Sequence, residues 1–282
     1  MLTRREHYYS SFDDRPSRLF DGLEHIRLAI HILGNTLTKN SRFSTRYLKW
    51  SATQRGDLFD TLNYVNAGPS LVECTMPKLG DLAELSIISK LDSQQSTLEC
   101  SLVKGIGKSM YYSRKVGYFL QVLDFKPSVL DGGGKLREPS EFKELKFKSQ
   151  EMASSALCCL NSSLFYWFVT VFSDCRHLNK REVDAFPILL GGLASNKSGQ
   201  VIMNLSARLM ADLQKNSQTR RMTFQHDTLT VQCIIPKHSK PILDEIDRVL
   251  AEHYGFTPEE LDFIINYDIK YRMGAVAGED DS

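Results

Sequence analysis

The sequence predicts a mixed α/β fold in which short strands alternate with amphipathic helices. Ile26 to Leu33 alternates its apolar positions with a period of two, which is the pattern of a strand. Val201 to Leu213 repeats an apolar residue every four positions, which is the pattern of a helix packed along one face. A content of 42% hydrophobic and 24% charged residues over 282 residues is ordinary for a folded chain of about two domains.

The central elements are predicted from turn signals and residue types. A helix is expected over Arg55 to Val65, and Asn66 to Pro69 then breaks the chain at a domain boundary. Val116 to Leu123 is rich in β-branched, aromatic and aliphatic residues and predicts a strand. Met152 to Trp167 is apolar on most faces and predicts a buried helix.

The C-terminal region predicts two more helices and a tail. One helix covers Pro241 to His253 and ends before Gly255. A second covers Pro258 to Tyr267 and begins at the capping box Thr257-Pro258-Glu259-Glu260. The last nine residues, GAVAGEDDS, have the composition of a disordered tail.

Membrane insertion and secretion are disfavoured by the apolar pattern and the cysteines. The longest apolar run, Leu164 to Phe172, is about half of the roughly 20 residues that a membrane-spanning helix needs. The N-terminus has no apolar signal core. The six cysteines form no CxxC pair and have no histidine at metal-ligand spacing, which predicts reduced thiols. We therefore expect a cytoplasmic protein with no membrane partner.

Charge is distributed unevenly although the whole chain carries only +1. Residues 101–150 hold ten Lys or Arg against five Asp or Glu, which gives a net charge of +5. Residues 241–282 hold three against eleven, which gives −8. The asymmetry favours a basic face for a polyanion in the middle of the chain, with charge needed only for solubility as the alternative.

No catalytic or cofactor motif is found. Val103 to Ser109 resembles a phosphate-binding loop, but Leu102 stands where the pattern GxxxxGK[ST] requires glycine. The dinucleotide pattern GxGxxG, the nucleophile elbow GxSxG and the zinc motif HExxH do not occur. The residues therefore predict no catalytic, cofactor-binding or metal-binding site.

Two basic segments carry residue types that bind nucleic acids, because cations meet phosphates and arginine also reads guanine edges. Each segment by itself is equally compatible with a solvated basic loop. The candidate DNA-binding residues of the first segment are Lys104, Lys108, Tyr111, Arg114 and Lys115, and those of the second are Arg176, His177, Asn179, Lys180 and Arg181.

Three stretches resemble one protein family, in the order in which that family has them. They are FDDRPSRLFDGLEHIRLAIHI (residues 12–32), LNSSLFYWFVTVFSDCRHLNKREVDAFPI (residues 160–188) and YGFTPEELDFIINYDIKYRMG (residues 254–274). Together they resemble the C-terminal half of adenine-specific DNA methyltransferases of the type IIG restriction-modification kind.

The resemblance implies three regions. Residues 1–66 would supply the terminal strands of a methyltransferase-like sheet, residues 67–190 an α/β target recognition domain, and residues 191–282 a helical spacer with the disordered tail. A surface that reads bases should differ between proteins of different specificity, whereas Arg176 to Arg181 lie in a shared stretch. Lys104 to Lys115 are therefore the better candidates for base contacts, and Arg176 to Arg181 for phosphate contacts or structure.

The family's catalytic half has no counterpart here. Its members flip out an adenine and methylate it from S-adenosylmethionine with an Asn-Pro-Pro-Tyr-type motif, and this chain has no Pro-Pro pair. We therefore expect a sequence-specific recognition protein that binds double-stranded DNA and a catalytic methyltransferase partner, with S-adenosylmethionine bound only by that partner. The alternatives are a fragment or subunit of an N6-adenine DNA methyltransferase, and an inactive remnant or protein-interaction module that docks through the Val201 to Leu213 stripe.

Overall fold

The computed structural model describes residues 5–35, 41–68, 70–195, 197–224 and 227–274, and the chain divides into two compact units. The first unit comprises Met1–Asp92 and Val169–Asp174, and the second comprises Ser93–Phe168 and Cys175–Ser282. Several sheets and helices are present, so the mixed α/β class is confirmed. The predicted division into regions 1–66, 67–190 and 191–282 stays a prediction.

A four-stranded sheet forms the first unit together with one helix. Its strands are β1 His7–Phe12, β2 Leu28–Leu33, β3 Arg42–Leu48 and β4 Val65–Asn66, and the helix is α1 Leu82–Asp92. The strand order is β2-β1-β3-β4, with β1 antiparallel to β2 and parallel to β3. Strand β2 is thus at an edge of this sheet among the described strands.

The predicted strand Ile26 to Leu33 is confirmed as β2, which begins two residues later. Leu28 and Ile30 pack against a core cluster of Phe12, Leu19, Trp50 and Leu58. Ile32 and Leu33, near the end of the same strand, are exposed at 57% and 45%. The edge strand therefore has one packed half and one apolar half that faces solvent.

The helix predicted over Arg55 to Val65 is wrong. Residues Ala52–Gln54 form a short 3₁₀ turn, and the backbone N–H of Thr61 bonds to the carbonyl of Asp57 in a single further turn. Leu58 is the member of the predicted stripe that is buried, while Phe59 is exposed. Val65 instead pairs with Ser44 in the sheet, so strand pairing prevails over the helical period.

The second unit contains most of the helices and two small sheets. Its strands are β5 Lys108–Ser113, β6 Val122–Leu123, β7 Val129–Leu130, β8 Leu136–Arg137, β9 Phe142–Phe147, β10 Ser217–Thr223 and β11 Thr228–Ile234. Its helices are α2 Gln150–Asn161, α3 Ser163–Phe172 (whose last four residues belong to the first unit), α4 Lys180–Asp184, α5 Leu190–Ser195, α6 Lys197–Lys215, α7 Lys240–Tyr254, α8 Pro258–Ile265 and α9 Ile269–Arg272. Helix α2 contacts the sheet β6-β5-β9 and also α5, α6 and α7, so it is the central element of this unit.

The buried helix predicted over Met152 to Trp167 is two helices, α2 and α3, bent by 63°. The break lies at Ser162, which is extended (φ −63°, ψ 158°). Its hydroxyl donates to the carbonyl of Cys159 at 2.6 Å and accepts the N–H of Phe165 at 3.0 Å. A side-chain hydroxyl that satisfies both helix ends makes the bend stable, and apolarity alone does not signal it.

The strand predicted over Val116 to Leu123 is mostly wrong, since strand β6 covers only its last two residues. Gly117 to Gln121 form no regular strand, and two of these residues contact Arg272 instead. The carbonyl of Tyr118 accepts from Arg272 Nε at 3.1 Å, and the Arg272 guanidinium lies 4.5 Å from the centre of the Phe119 ring.

The three C-terminal helices predicted from the sequence are confirmed as α6, α7 and α8. Helix α7 ends at Gly255, whose left-handed φ of 67° is easily adopted without a side chain. The capping box is formed, with Thr257 N–H donating to Glu260 at 2.7 Å. The predicted tail beyond Gly274 lies outside the described residues.

The stripe on α6 is a packing surface. Leu205, Leu209 and Leu213 are buried, and Val201 is 48% exposed. These leucines are therefore not available for the docking role considered for a protein-interaction module.

A second four-stranded sheet is built from two hairpins that are distant in sequence. Its strand order is β10-β11-β7-β8, and all its pairings are antiparallel. Six of the seven β10 residues are exposed, and all but the last residue of β11 are half-buried. We call this sheet the β arm.

All six cysteines are free, and three of them, Cys158, Cys159 and Cys175, are buried. Within the described residues, no single helix is long and apolar enough to cross a membrane. Helices α2 and α3 reach that length and hydropathy only together, across the 63° bend, and from Ala153 onward their residues are buried.

Candidate nucleic-acid interface

The two basic segments predicted to bind DNA meet in the second unit. Lys115 and His177 are partners in an antiparallel β-bridge. The N–H of Leu178 donates to the carbonyl of Arg114 at 2.8 Å, and the N–H of Val116 donates to the carbonyl of Arg176 at 3.2 Å. We call Arg114, Lys115, Arg176 and His177 the basic junction.

Backbone pairing determines where the junction side chains lie. Residues directly opposite each other in an antiparallel pair project from the same face, about 5 Å apart, so Lys115 and His177 are neighbours. Lys115, Arg176 and His177 are exposed, and Arg114 is half-buried. Leu178 is fully buried and fixes the second segment to the core.

Asn179, Lys180 and Arg181 form the start of helix α4. The N–H of Asn179 donates to the Glu182 carboxylate at 3.0 Å, which closes a capping box. Lys180 pairs with Asp184 at 2.5 Å and Arg181 pairs with the buried Glu182 at 2.7 Å. These residues therefore serve the local structure, although their side chains remain 61% and 48% exposed.

Lys104 and Lys108 lie at the other end of β5 from the junction. Lys108 pairs with Phe147 at the start of the strand, whereas Arg114 follows its last residue. Lys108 and Arg114 are six positions apart along an extended strand, which corresponds to a distance of about 20 Å. The segment from Lys104 to Lys115 thus presents two groups of cations and not one continuous patch.

Tyr111 is half-buried on the face of the sheet opposite to Met110 and Tyr112, both of which are buried. The Lys126 ammonium lies 5.1 Å from the centre of the Tyr111 ring, and the same ammonium pairs with Glu138 at 2.6 Å. The ring therefore already has a cation over it, and a base could stack there only after Lys126 moved.

Acidic residues interrupt the basic face around Tyr111. Glu144 is the cross-strand partner of Tyr111, and it accepts from Ser109 at 2.7 Å. That hydrogen bond and the nearby Lys146 lower the pKa of Glu144, which remains ionised at neutral pH. A polyanion would meet this negative charge at the centre of the sheet, so the two ends of β5 are the favourable positions.

Several cations of the basic region are already paired. Lys126, Arg137 and Lys146 form ion pairs with Glu138, with Asp131 and Asp227, and with Glu144, respectively. Seven others form no ion pair with the residues that the structure describes: Lys104, Lys108, Arg114, Lys115, Lys135, Lys143 and Lys148. The net charge of +5 is therefore concentrated on these seven side chains.

Sequence reasoning missed one pair of cations, Arg220 and Arg221 on β10. Both are exposed, and neither forms an ion pair with the described part of the chain. A signal was available, because SQTRRMT and TLTVQCI have strand-forming composition and flank a short polar segment, which is typical of a hairpin.

No cluster of three or more His, Cys, Asp or Glu side chains that could hold a metal ion occurs among the described residues. A search of protein-family models, of curated proteins and of solved structures finds no match to the chain. The geometry of the basic junction is therefore the observation from which a function is proposed.

Proposed function

We propose that the chain is the sequence-specific DNA recognition part of an adenine-specific DNA methyltransferase or restriction-modification system. The observation that carries the proposal is the pairing of Arg114 and Lys115 with Arg176 and His177. The pairing brings together the cations of two basic segments that are about 60 residues apart in the sequence. Their convergence makes a compact cationic site suited to phosphates.

The junction residues have separate roles in this proposal. Lys115 and His177 contact one stretch of DNA backbone, since they share a face. Arg114 and Arg176 supply the planar guanidinium groups that read base edges or clamp phosphate. Lys104 and Lys108, about 20 Å away along β5, meet a second stretch of backbone.

A catalytic partner is part of the proposal, because the family resemblance assigns the methyl-transfer chemistry and S-adenosylmethionine to motifs that do not occur in these 282 residues. The partner's docking site is the edge of the first unit's sheet. Strand β2 has no described neighbour on its outer side, and Ile32 and Leu33 are exposed there. Unpaired strand edges with apolar side chains are places where another chain adds a strand. The complex would act in the cytoplasm.

The decisive experiment is selection of bound sequences from a random pool of duplex DNA, using the whole chain with and without a catalytic methyltransferase subunit. The proposal expects steep salt dependence and an enriched sequence motif. A methyl-transfer assay on the chain by itself should give no product. Salt-insensitive or absent DNA binding in both preparations would contradict the proposal.

An interaction module without DNA contact is the second candidate, and the exposed β2 edge favours it. That module would bind a protein partner with an affinity that salt hardly changes, because the contact surface is apolar. A complex with the catalytic subunit that forms normally but shows no DNA preference would support this alternative.

A further inference from the structure

The two outer strands of the β arm, β10 and β8, are exposed to solvent. From Gln218 to Thr223 every residue of β10 is exposed, and Leu136 on β8 is 68% exposed. A small sheet normally gains its stability by packing one face against other elements. Outer strands that stay exposed are therefore well placed to contact another molecule.

The charged residues in the strands of the β arm are all of one sign. Its strands contain three arginines, Arg137, Arg220 and Arg221, and no acidic residue. The two aspartates at its turns are already engaged by the arm itself. Asp131 accepts the N–H groups of Gly133 and Lys135 at 3.0 and 2.9 Å, and Asp227 accepts from Arg137 at 2.7 Å.

Arg220 and Arg221 are thus the exposed cations of the arm's strands that form no ion pair with the described residues. They project to opposite faces because they are consecutive in a strand. Met222 and Phe224 alternate with Arg220 on one face and are 36% and 54% exposed. Arginine beside exposed apolar and threonine side chains suits a nucleic-acid groove, where cations meet phosphates and apolar groups contact sugars and base methyls.

The β arm begins beside the basic junction. Three residues separate Arg137, the last residue of β8, from Glu141, so at most about 14 Å of chain lies between their Cα atoms. The carbonyl of Glu141 accepts the N–H of Arg114 at 2.9 Å. One helical turn of duplex, about 34 Å long, is sufficient to touch both the junction and the arm.

We infer that the β arm is a second contact to duplex DNA, made by Arg220 and Arg221, an inference that rests on the proposed DNA recognition by the junction. The ligand is the phosphate backbone and base edges of a DNA duplex bound at the junction. Strands and β-ribbons read DNA grooves in several known protein classes. The uniform positive charge of the arm's strands is what favours DNA over a protein partner.

The test compares DNA affinity and its salt dependence for the full chain and three double variants. Arg220→Ala with Arg221→Ala removes both cations, and Arg220→Lys with Arg221→Lys keeps the charge. Arg248→Ala with Lys237→Ala is the matched control, since it removes two exposed cations of the helical region that form no ion pair with the described residues. Hydrogen exchange of β10 and β11 amides verifies that the arm is still folded.

The alanine variant should bind at least tenfold more weakly, and the slope of log affinity against log salt should fall by about 1.8, since each phosphate contact contributes about 0.9. The lysine variant should recover the slope, and the control should change neither quantity. Unchanged affinity in the alanine variant would overturn the inference while leaving the proposed function intact. An equal loss of DNA affinity in the control variant would also overturn the inference. So would an alanine variant that binds an RNA duplex of the same sequence more weakly but binds DNA normally. Absence of DNA binding by the unmodified chain would instead remove the proposed function and the inference with it.

Discussion

The backbone N–H of Leu178 donates a 2.8 Å hydrogen bond to the carbonyl oxygen of Arg114. Leu178 is fully buried, so this bond fixes the exposed residues on either side of it relative to the core. Recognition residues are commonly held in this way, on irregular segments anchored by a rigid scaffold. The aromatic stretch before the second basic segment also anchors that segment to the core. The rings of Phe165 and Phe168 both pack edge-on against the ring of Phe186, with centroid distances of 5.0 and 5.1 Å.

Tyr111 should contribute little to DNA binding in the unmodified protein. Replacing it with leucine should change DNA affinity less than twofold, because Lys126 already covers the ring. Replacing Lys126 with alanine uncovers the ring, and Tyr111→Leu introduced into that background should then weaken binding more strongly. The measurement is a double-mutant cycle on DNA affinity. A tenfold loss from Tyr111→Leu by itself would show that the ring stacks on a base despite Lys126.

Asp247 should be important for stability. It is fully buried, and its carboxylate accepts the N–H groups of Ser163 and Leu164 at 3.2 and 3.3 Å, at the start of α3. Burial raises its pKa, which the two hydrogen bonds and the nearby Arg272 partly oppose. Asp247→Ala leaves two buried N–H donors without an acceptor and removes one of the negative charges near Arg272, so we expect a loss of about 3–5 kcal/mol in the free energy of unfolding.

Urea unfolding of Asp247→Ala provides the measurement, with Asp247→Asn and Asp262→Ala as companions. The asparagine keeps an acceptor and should cost less than the alanine. Asp262 is exposed on α8, so its replacement should change stability by no more than about 0.5 kcal/mol. Equal losses for Asp247→Ala and Asp262→Ala would contradict the assigned role.

Asp13 should make the stability of the first unit depend on pH. Burial raises its pKa from 3.8 to about 6, and the hydrogen bond with Asp14 acts in the same direction, while Lys49 and Arg27 oppose the shift. A raised carboxyl pKa means that the folded state holds the proton more tightly than the unfolded state. This stabilisation is complete below about pH 4 and is lost as the pH rises through about 6.

Asp13→Asn should remove this dependence, because an amide does not titrate. The unfolding free energy of the wild type should fall relative to Asp13→Asn by roughly 3 kcal/mol at most between pH 4 and pH 7, since one pKa unit corresponds to about 1.4 kcal/mol. The difference between the two proteins cancels the contributions of the histidines. Asp60→Asn, at an exposed position, is the control. Parallel stability curves for wild type and Asp13→Asn would refute the assignment.

The β2 edge should cause the chain to associate when no catalytic partner is present. Ile32→Lys places a charge on the exposed half of the edge strand, which opposes edge-to-edge pairing. Light scattering after size-exclusion chromatography should show larger species for the wild type and a smaller mass for the variant. A wild-type chain that is monodisperse and monomeric at high concentration would count against the edge as a docking site.

Much of the fold could be predicted because several elements carry strong local signals. The capping box at Thr257 and Glu260, the glycine at position 255 and the leucine repeat of α6 each determine a helix by short-range physics. The wrong predictions concern residues whose secondary structure is determined by partners that are distant in the sequence. Val65 pairs with Ser44 and leaves the helical pattern, and Tyr118 bonds to Arg272, which is 154 residues away.

The residue types of the candidate site could be predicted from the sequence, but the positions of these residues relative to one another could not. The sequence marked both basic segments, yet nothing local indicates that Lys115 lies opposite His177 or that Lys126 covers Tyr111. Lys180 and Arg181 were predicted as possible DNA contacts, and their pairing with Asp184 and Glu182 follows from helix α4. Electrostatic partners that depend on tertiary folding cannot be read from one sequence.

The most direct test of the basic junction is a DNA titration at several salt concentrations with Arg114→Ala, Lys115→Ala and Arg176→Ala combined in one chain. The account predicts a salt slope lower by about 2.7 and a DNA affinity at least 100-fold weaker in a chain that remains folded. Arg248→Ala with Lys237→Ala should leave both binding quantities unchanged. A triple variant that is folded and binds DNA with the wild-type affinity and salt slope would contradict the account.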